Sequence, residues 1–335
     1  MIQYRLPYFI LRVLASFFLV FGIAGLAGAT ESTDEDVYSV VHGWPQLPAG
    51  RILGQATGVA VDSHNHVFVF HRAGREWSDP FPEDAIKPPT IAVFDGGSGK
   101  LMAEWGRNLF VMPHGLSVDN EDNVWVTDVG RHQVFKFSHD GELLMTLGVN
   151  RVPGDDANHF NLPTDVAVLG DGSFFVSDGY ANTRVAKFAS DGQFQFQWGA
   201  RGSGEGQLDL PHGIAVDGES RVYVADRSNS RVQVFDREGS FITQWRGPEI
   251  GRPYAVAIGP DDKAYVVDGG DQPIEPPDRS RAMRLSLNGN VEATFGRYGN
   301  YDGQFLLGHD IAVGKDGAVY VVDAWGMRVQ KFIRQ

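Results

Sequence analysis

An internal repeat limits the folds open to this chain more than any other feature. Six short runs of alternating β-forming residues each end in a polar residue, and they end at His71, Asp128, Asp178, Asp226, Asp268 and Asp323. Each run follows another β-rich run after an Asp- and Gly-rich turn, which is the pattern of a β-hairpin. Most are followed by a third and a fourth run. Each repeat therefore predicts a blade of four antiparallel strands.

The number of repeats predicts the architecture. Without residues 1–29, the 335-residue chain keeps 306 residues, or 51 for each of six repeats, which matches an all-β, six-bladed β-propeller. The last repeat ends at Gln335 after its third strand, whereas residues 37–44 have strand composition and precede the first repeat. We expect this N-terminal strand to complete blade six and close the ring, which removes exposed sheet edges. Residues 30–335 are predicted to form one domain.

The first 29 residues resemble a signal peptide. Arg5 and Arg12 precede an apolar run, residues 13–27, and an A-x-A sequence follows at residues 27–29. The alternative is an N-terminal membrane anchor, but the run is short for a membrane span. The sequence therefore predicts cleavage and export to the periplasm or the medium. We expect a monomer with no membrane attachment after cleavage.

Charge and cysteine content exclude several functions. The chain carries 29 Lys and Arg against 42 Asp and Glu, a net charge of −13, and an acidic surface repels phosphate backbones. Nucleic acid is therefore an unfavourable partner. There is no Cys, which excludes disulfides, thiolate nucleophiles and Cys-ligated metals. A metal would need His or oxygen ligands.

Histidine recurs at one repeat position, but only in alternate copies. Fourteen residues before the end of each second run stand Thr57, His114, Thr164, His212, Tyr254 and His309. Alternate blades of a six-bladed ring lie about 120° apart, and the first strand of a blade lies nearest the axis. We expect the three imidazoles to converge there, and three histidines with an open fourth position are typical of catalytic zinc. The alternative is a hydrogen-bonding residue inherited with the repeat.

The residues after each second run share the mouth of the channel with these histidines, because the first two strands are antiparallel. Arg72 and Arg227 follow the runs of blades one and four, and Tyr180 stands one position further on in blade three. Each alone is compatible with surface pairing or packing. Beside a metal they predict an anion clamp and a phenol that can lose its proton. The remaining histidines, most of which are interpreted as surface or structural groups, are His42, His64, His66, His71, His132, His139 and His159.

Several strings carry a family resemblance: FHR at residues 70–72, PHGLS at 113–117, WVTDV at 125–129, VSDGY at 176–180 and VADR at 224–227. The chain resembles the peptidyl-α-hydroxyglycine α-amidating lyases from Gln55 to Phe332. Generic NHL repeats share the strand patterns but not FHR or the context of Tyr180. The resemblance implies an NHL-type propeller that cleaves a peptidyl-α-hydroxyglycine to the peptide amide and glyoxylate.

The resemblance also implies a set of roles. It implies a zinc ion on His114, His212 and His309, with Tyr180 as the base. Arginines Arg72 and Arg227 would line the site and bind the substrate carboxylate. A structural calcium ion would be held by the carbonyls of Val59 and Leu116 and the carboxylate of Asp310. No organic cofactor is implied.

The sequence departs from the family pattern in two respects. Asn161 and Ala181 stand where the animal enzymes have one disulfide pair, which implies a different means of stabilisation. Leu307 and Gly308 replace the usual Met-Pro before the third histidine, which is expected to alter the pocket wall.

Two other functions compete with the lyase. A non-catalytic NHL propeller would bind a protein or peptide partner on one face, and any metal would be structural. A sugar-lactone hydrolase would hold its divalent ion among acidic and amide ligands, which the three histidines argue against.

Overall fold

Alternating apolar residues build a ring of four-stranded sheets in this protein. The computed structural model describes residues 37–270 and 279–335, and these residues form six antiparallel sheets. The predicted all-β, six-bladed propeller is confirmed. The predicted signal peptide, residues 1–29, lies outside the described residues. In the two described ranges, we find no helix of the length and apolarity that a membrane span requires.

The first three blades are formed by consecutive strands, with the innermost strand first. Blade 1 contains β2 (Ala56–Val61), β3 (His66–His71), β4 (Ile91–Asp95) and β5 (Leu101–Trp105). Blade 2 contains β6 (Pro113–Val118), β7 (Val124–Asp128), β8 (Gln133–Phe137) and β9 (Leu143–Leu147). Blade 3 contains β10 (Asp165–Val168), β11 (Phe174–Asp178), β12 (Arg184–Phe188) and β13 (Phe194–Trp198).

The next three blades follow the same order, except that the last takes its outer strand from the N-terminal part of the chain. Blade 4 contains β14 (Pro211–Val216), β15 (Val222–Asp226), β16 (Arg231–Phe235) and β17 (Phe241–Arg246), with a short 3-10 helix at Arg227–Asn229. Blade 5 contains β18 (Pro253–Ile258), β19 (Lys263–Asp268), β20 (Arg281–Ser286) and β21 (Val291–Phe295). Blade 6 contains β22 (Gly308–Val313), β23 (Val319–Asp323), β24 (Arg328–Arg334) and β1 (Tyr38–Val40).

The N-terminal strand closes the ring as predicted. Tyr38 pairs with Arg334 and Val40 with Phe332 in antiparallel register. The strand is shorter than the predicted residues 37–44, because Gly43 has a left-handed φ of 74° that turns the chain. Trp44 is nevertheless buried, with its ring 4.9 Å from that of Tyr320. The N-terminal segment therefore joins blade 6 through both backbone pairing and packing.

Each hydrophobic cluster lies between two adjacent blades. Successive residues of β3 face opposite sides of the sheet. Val67 and Val69 pack with residues of blade 6, whereas Phe68 and Phe70 pack with residues of blade 2. Because both faces of a blade are covered in this way, stability depends on completing the ring.

The Asp residue at the end of a second strand fixes the loop that leads into the first strand. In blade 2 the carboxylate of Asp128 accepts hydrogen bonds from the backbone N–H groups of Val111 (2.5 Å) and Met112 (2.9 Å). The equivalent residues that bind the loops of blades 3 to 6 are Asp178, Asp226, Asp268 and Asp323. The residues that begin each innermost strand, including the three histidines, are thereby held in place.

Candidate metal centre and active site

Three imidazoles from alternate blades meet in the central channel. The ring centroids of His114 and His212 are 4.7 Å apart, and that of His309 is 4.9 Å from each of them. One possible ligand nitrogen from each residue lies within 4.8 Å of the others. The structure thus brings together the three histidines that the repeat register selects.

Each of these imidazoles is anchored by the next blade. The Nδ1 atom of His114 donates to the carbonyl of Thr164 at 2.7 Å, and the Nδ1 atom of His212 donates to that of Tyr254 at 2.7 Å. The Nδ1 atom of His309 donates to the carbonyl of Thr57 at 2.8 Å. A proton on Nδ1 leaves the Nε2 lone pair available to a metal, and such bonds orient metal-binding histidines.

Burial keeps these imidazoles in the form that a metal requires. His114 is 1% exposed and His212 is 2% exposed. Burial lowers the pKa of both side chains well below the ordinary value, and the charge of neighbouring His and Arg groups lowers it further. Three imidazole nitrogen donors around one point fit a borderline divalent ion such as Zn²⁺.

The phenol of Tyr180 lies on the Nε2 side of the histidine ring. Its Oη atom is 3.0 Å from Nε2 of His114 and 3.2 Å from Nε2 of His212. The aromatic ring is 5.1 Å from that of Trp77, which lies in the loop between β3 and β4. The structure therefore places the Tyr180 hydroxyl at the Nε2 atoms of two ring histidines.

The two predicted arginines line one cavity at this mouth. Arg72 is 5% exposed and donates from Nε to the carbonyl of Pro113 (3.1 Å) and from Nη1 to Gln55 (2.8 Å). Burial lowers the pKa of Arg72 to about 10, although the nearby Tyr180 and Asp128 favour its charged form. Arg72 therefore stays a cation at neutral pH. The guanidinium of Arg227 stacks 4.0 Å from the ring centroid of Tyr254.

The cavity itself has a volume of about 410 Å³ and combines these cations with apolar walls. Trp77 and Trp325 are 41% and 55% exposed at its rim. Leu307, one of the two departures from the family pattern, lies in its wall next to His309. Such a cavity can take a small acid whose other end is apolar.

Two partly buried carboxylates lie in the channel next to the histidine ring. Asp310 accepts a hydrogen bond from the backbone N–H of Val59 (2.8 Å), and Asp165 accepts one from that of Ile214 (3.0 Å). Both line the same small cavity as the histidines. Burial raises the pKa of Asp165 to about 7. Burial raises the pKa of Asp310 well above its usual range, and the charge of Asp165 raises it further.

Asp165, which lines the same small cavity as Asp310, was not singled out from the sequence. Asp165 and Asp310 share one repeat position in opposed blades, and that pattern was available in the sequence. Of the predicted set, Asp310 lies in the channel with Val59 beside it, and Leu116 is buried. The calcium assignment itself stays a prediction. Trp77 was also missed, because it lies in a loop outside the strand pattern that the repeats share.

Comparison with known proteins agrees with the repeat and the fold. The sequence model of the NHL repeat matches residues 110–137 and 208–235, in blades 2 and 4. A solved streptogramin B lyase structure matches with a TM-score of 0.58 and 14% identity, over 89% of this chain and 98% of that chain. At this identity the likeness shows the fold alone.

Curated relatives are more similar in sequence. A probable peptidyl-α-hydroxyglycine α-amidating lyase of Caenorhabditis elegans is 41% identical over 292 residues, which are 80% of this chain and 79% of the relative. The peptidyl-glycine α-amidating monooxygenase B of Xenopus laevis is 38% identical over 308 residues, which are 86% of this chain and 35% of the relative. The chain therefore spans about a third of the length of the frog protein.

Proposed function

This chain belongs to the peptidyl-α-hydroxyglycine α-amidating lyase family, and we propose that it cleaves N-acyl-α-hydroxyglycines to the corresponding amide and glyoxylate. The observation that carries the proposal is the position of the Tyr180 hydroxyl, within hydrogen-bonding distance of two nitrogens of the histidine ring. A binding scaffold with a structural metal needs no phenol there. Nor does it need two arginines in the adjoining cavity.

The three histidines fit a zinc ion by donor type, burial and tautomer, as described above. We propose that His114, His212 and His309 hold it. When bound, such an ion supplies Lewis acidity that stabilises negative charge on an oxygen of the substrate. The metal also favours the deprotonated form of a neighbouring phenol.

Tyr180 is assigned the proton transfer. In the phenolate form its Oη atom takes the proton of the substrate hydroxyl as a general base. The electron pair of that O–H bond forms the carbonyl of glyoxylate, and the bond between carbon and the amide nitrogen breaks. The leaving nitrogen takes a proton, so the overall reaction balances without water, oxidant or reductant.

The arginines are assigned the substrate carboxylate. A guanidinium binds a carboxylate through two parallel hydrogen bonds, and such contacts are strong where water is excluded. Arg72 is buried beside the carbonyl that precedes His114, and Arg227 is held by stacking on Tyr254. Fixing the carboxylate in this way would hold the reacting carbon near Tyr180.

The direct test is glyoxylate release from a small N-acyl-α-hydroxyglycine by purified protein whose metal content has been measured. We expect turnover that depends on a bound divalent ion. Protein that carries one equivalent of zinc and releases no glyoxylate would support the scaffold function instead.

Arg72→Ala is expected to lower kcat/KM by about 10- to 100-fold, because hydrogen bonds to charged groups contribute about 1.5 to 3 kcal/mol. Steady-state kinetics with the same substrate measures the change. Arg237→Ala is the matched control, since that arginine is paired with Asp171 at a half-exposed position. Equal kcat/KM for Arg72→Ala and wild type would contradict the carboxylate role.

We also propose that the channel holds a structural calcium ion, since hard oxygen donors suit Ca²⁺ and a cation would neutralise the carboxylates of Asp165 and Asp310, which line one small cavity. The predicted carbonyls of Val59 and Leu116 would complete the set. A ligand at 100 times its Kd stabilises the folded state by about 2.7 kcal/mol. Calcium removal is therefore expected to lower the melting temperature by several degrees, measured by calorimetry.

Asp310→Asn is the informative variant for the calcium proposal, because it keeps the size of the side chain and removes the charge. We expect its melting temperature not to respond to calcium. A wild-type melting curve that is unchanged after verified calcium removal would refute the structural role.

A further inference from the structure

A second cluster of histidines lies at the junction of blades 1 and 2, away from the mouth described above. Asp62 follows β2, His66 begins β3, and His139 lies in the turn between β8 and β9 of the next blade. Nδ1 of His66 and Nε2 of His139 are 2.8 and 2.9 Å from the same oxygen, Oδ2 of Asp62. These three ligand atoms all lie within 4.8 Å of one another.

The carboxylate of Asp62 is oriented so that one oxygen faces the imidazoles. Its Oδ1 atom accepts hydrogen bonds from the backbone N–H groups of His64 (2.9 Å) and His66 (2.7 Å). This fixes the carboxylate and leaves Oδ2 to the side chains. His64 adds a third imidazole, with Nδ1 3.9 Å from Oδ2 of Asp62 and a side chain that is 66% exposed.

The cluster is not a general property of the repeat. At the equivalent position of blade 2, Asp119 accepts from the indole N–H of Trp125 (2.9 Å). In blade 4, Asp217 accepts from the hydroxyl of Tyr223 (2.8 Å). Blade 1 has Phe68 at that place in the second strand, which has no polar atom, and His139 reaches over from blade 2 to bind the carboxylate instead.

The groups that balance the charge of this Asp residue also differ between blade 1 and blades 2 and 4. Asp119 is paired with Lys136 at 3.3 Å, and Asp217 with Arg221 at 2.7 Å. Within residues 37–270 and 279–335, the ion pairs of Asp62 are all with histidines. The Asp62 side chain is fully buried, so its charge needs a cation, which can be a protonated imidazole or a bound metal ion.

The titration behaviour agrees with an anionic centre. Burial opposes the charge of Asp62, but hydrogen bonds from the backbone of His66 and from the imidazoles of His139 and His66 outweigh it and lower its pKa. Burial likewise opposes protonation of His139, but its hydrogen bonds to Asp62 and Asp140 raise its pKa. His139 is therefore protonated more readily than a free imidazole, and a bound metal ion would displace that proton.

We propose that Asp62, His66 and His139 form a second metal site, for a divalent ion of the zinc type. Two imidazole nitrogens and one carboxylate oxygen are a donor set that Zn²⁺ takes in tetrahedral geometry. Nδ1 of His139 lies 3.2 Å from the carboxylate of Asp140. This contact would orient the imidazole, as hydrogen bonds to metal-binding histidines commonly do. The ion would fasten blade 1 to blade 2, independently of the histidine ring.

The test is a zinc titration of metal-stripped wild-type protein by equilibrium dialysis with elemental analysis. We expect two equivalents of zinc, one for the ring and one for this site. The double variant His66→Asn with His139→Asn is expected to bind one equivalent and to keep both ring metal and glyoxylate release. His159→Asn is the matched control, because His159 also pairs with a carboxylate, that of Asp156 at 2.8 Å, but no second imidazole joins this pair. The His159→Asn protein should still bind two equivalents of zinc.

A measurement on the unaltered protein makes the test independent of whether the variants fold. Anomalous scattering at the zinc edge from zinc-soaked crystals is expected to give a peak at about 2.0 to 2.2 Å from Oδ2 of Asp62, Nδ1 of His66 and Nε2 of His139. One equivalent of zinc in the wild type, or a second equivalent retained by the double variant, would overturn the proposal. So would zinc-soaked crystals with a peak at the ring and none here.

Discussion

Tyr180→Phe is expected to lower kcat for glyoxylate release by about 10²- to 10⁴-fold, which is the usual contribution of a general base. The substitution removes only the hydroxyl that lies 3.0 and 3.2 Å from the nitrogens of His114 and His212. The remaining ring can still pack against Trp77. Folding and metal content are therefore expected to survive, and kinetics on metal-replete protein isolates the proton transfer.

Tyr301→Phe is the matched control, because Tyr301 is 81% exposed and lies outside the cavity. Its kcat should equal that of the wild type. If metal-replete Tyr180→Phe released glyoxylate as fast as the wild type, the base would have to be another group. Loss of zinc from Tyr180→Phe would instead assign the phenol to metal binding, and the kinetic comparison would be repeated at saturating zinc.

The parts of this protein that follow the repeat could be predicted from the sequence. The second strand of each blade is buried on both faces, so its apolar pattern recurs in every repeat. The run ending at Asp226 and the run ending at Asp323 therefore predict the same strand in two different blades. The same register places His114, His212 and His309 at one level of the ring. Closure by the N-terminal strand followed because the last repeat lacks its outer strand.

Features that depend on contacts between different repeats were harder to predict. His139 and His66 are 73 positions apart and meet only because blade 2 packs on blade 1. Both were interpreted as surface or structural groups, since neither shares the register of the ring. Trp77 reaches the cavity from the loop between β3 and β4, which lies outside the strand pattern that the repeats share, and no periodic signal marks such a loop.

Replacing any one of the three ring histidines with Ala is expected to remove the metal and to lower kcat/KM by about 10³-fold or more, because a Lewis acid contributes several kcal/mol to such a reaction. The near-equal spacing of the three rings predicts that the three variants behave alike. Elemental analysis and glyoxylate kinetics on each variant measure the two effects together.

The control for the ring must be another buried histidine, because Ala at such a place also creates a cavity and leaves polar groups unpaired. His71 serves this purpose. It is 2% exposed, and burial lowers its pKa to about 4, yet it accepts a hydrogen bond from the backbone N–H of Ala73 and is not part of the ring. We expect His71→Ala to lower thermal stability and to keep a full equivalent of ring metal. If the ring variants likewise lost stability but kept the metal, histidine would recur in alternate blades because it forms hydrogen bonds at the strand start. The metal centre would then have to lie elsewhere.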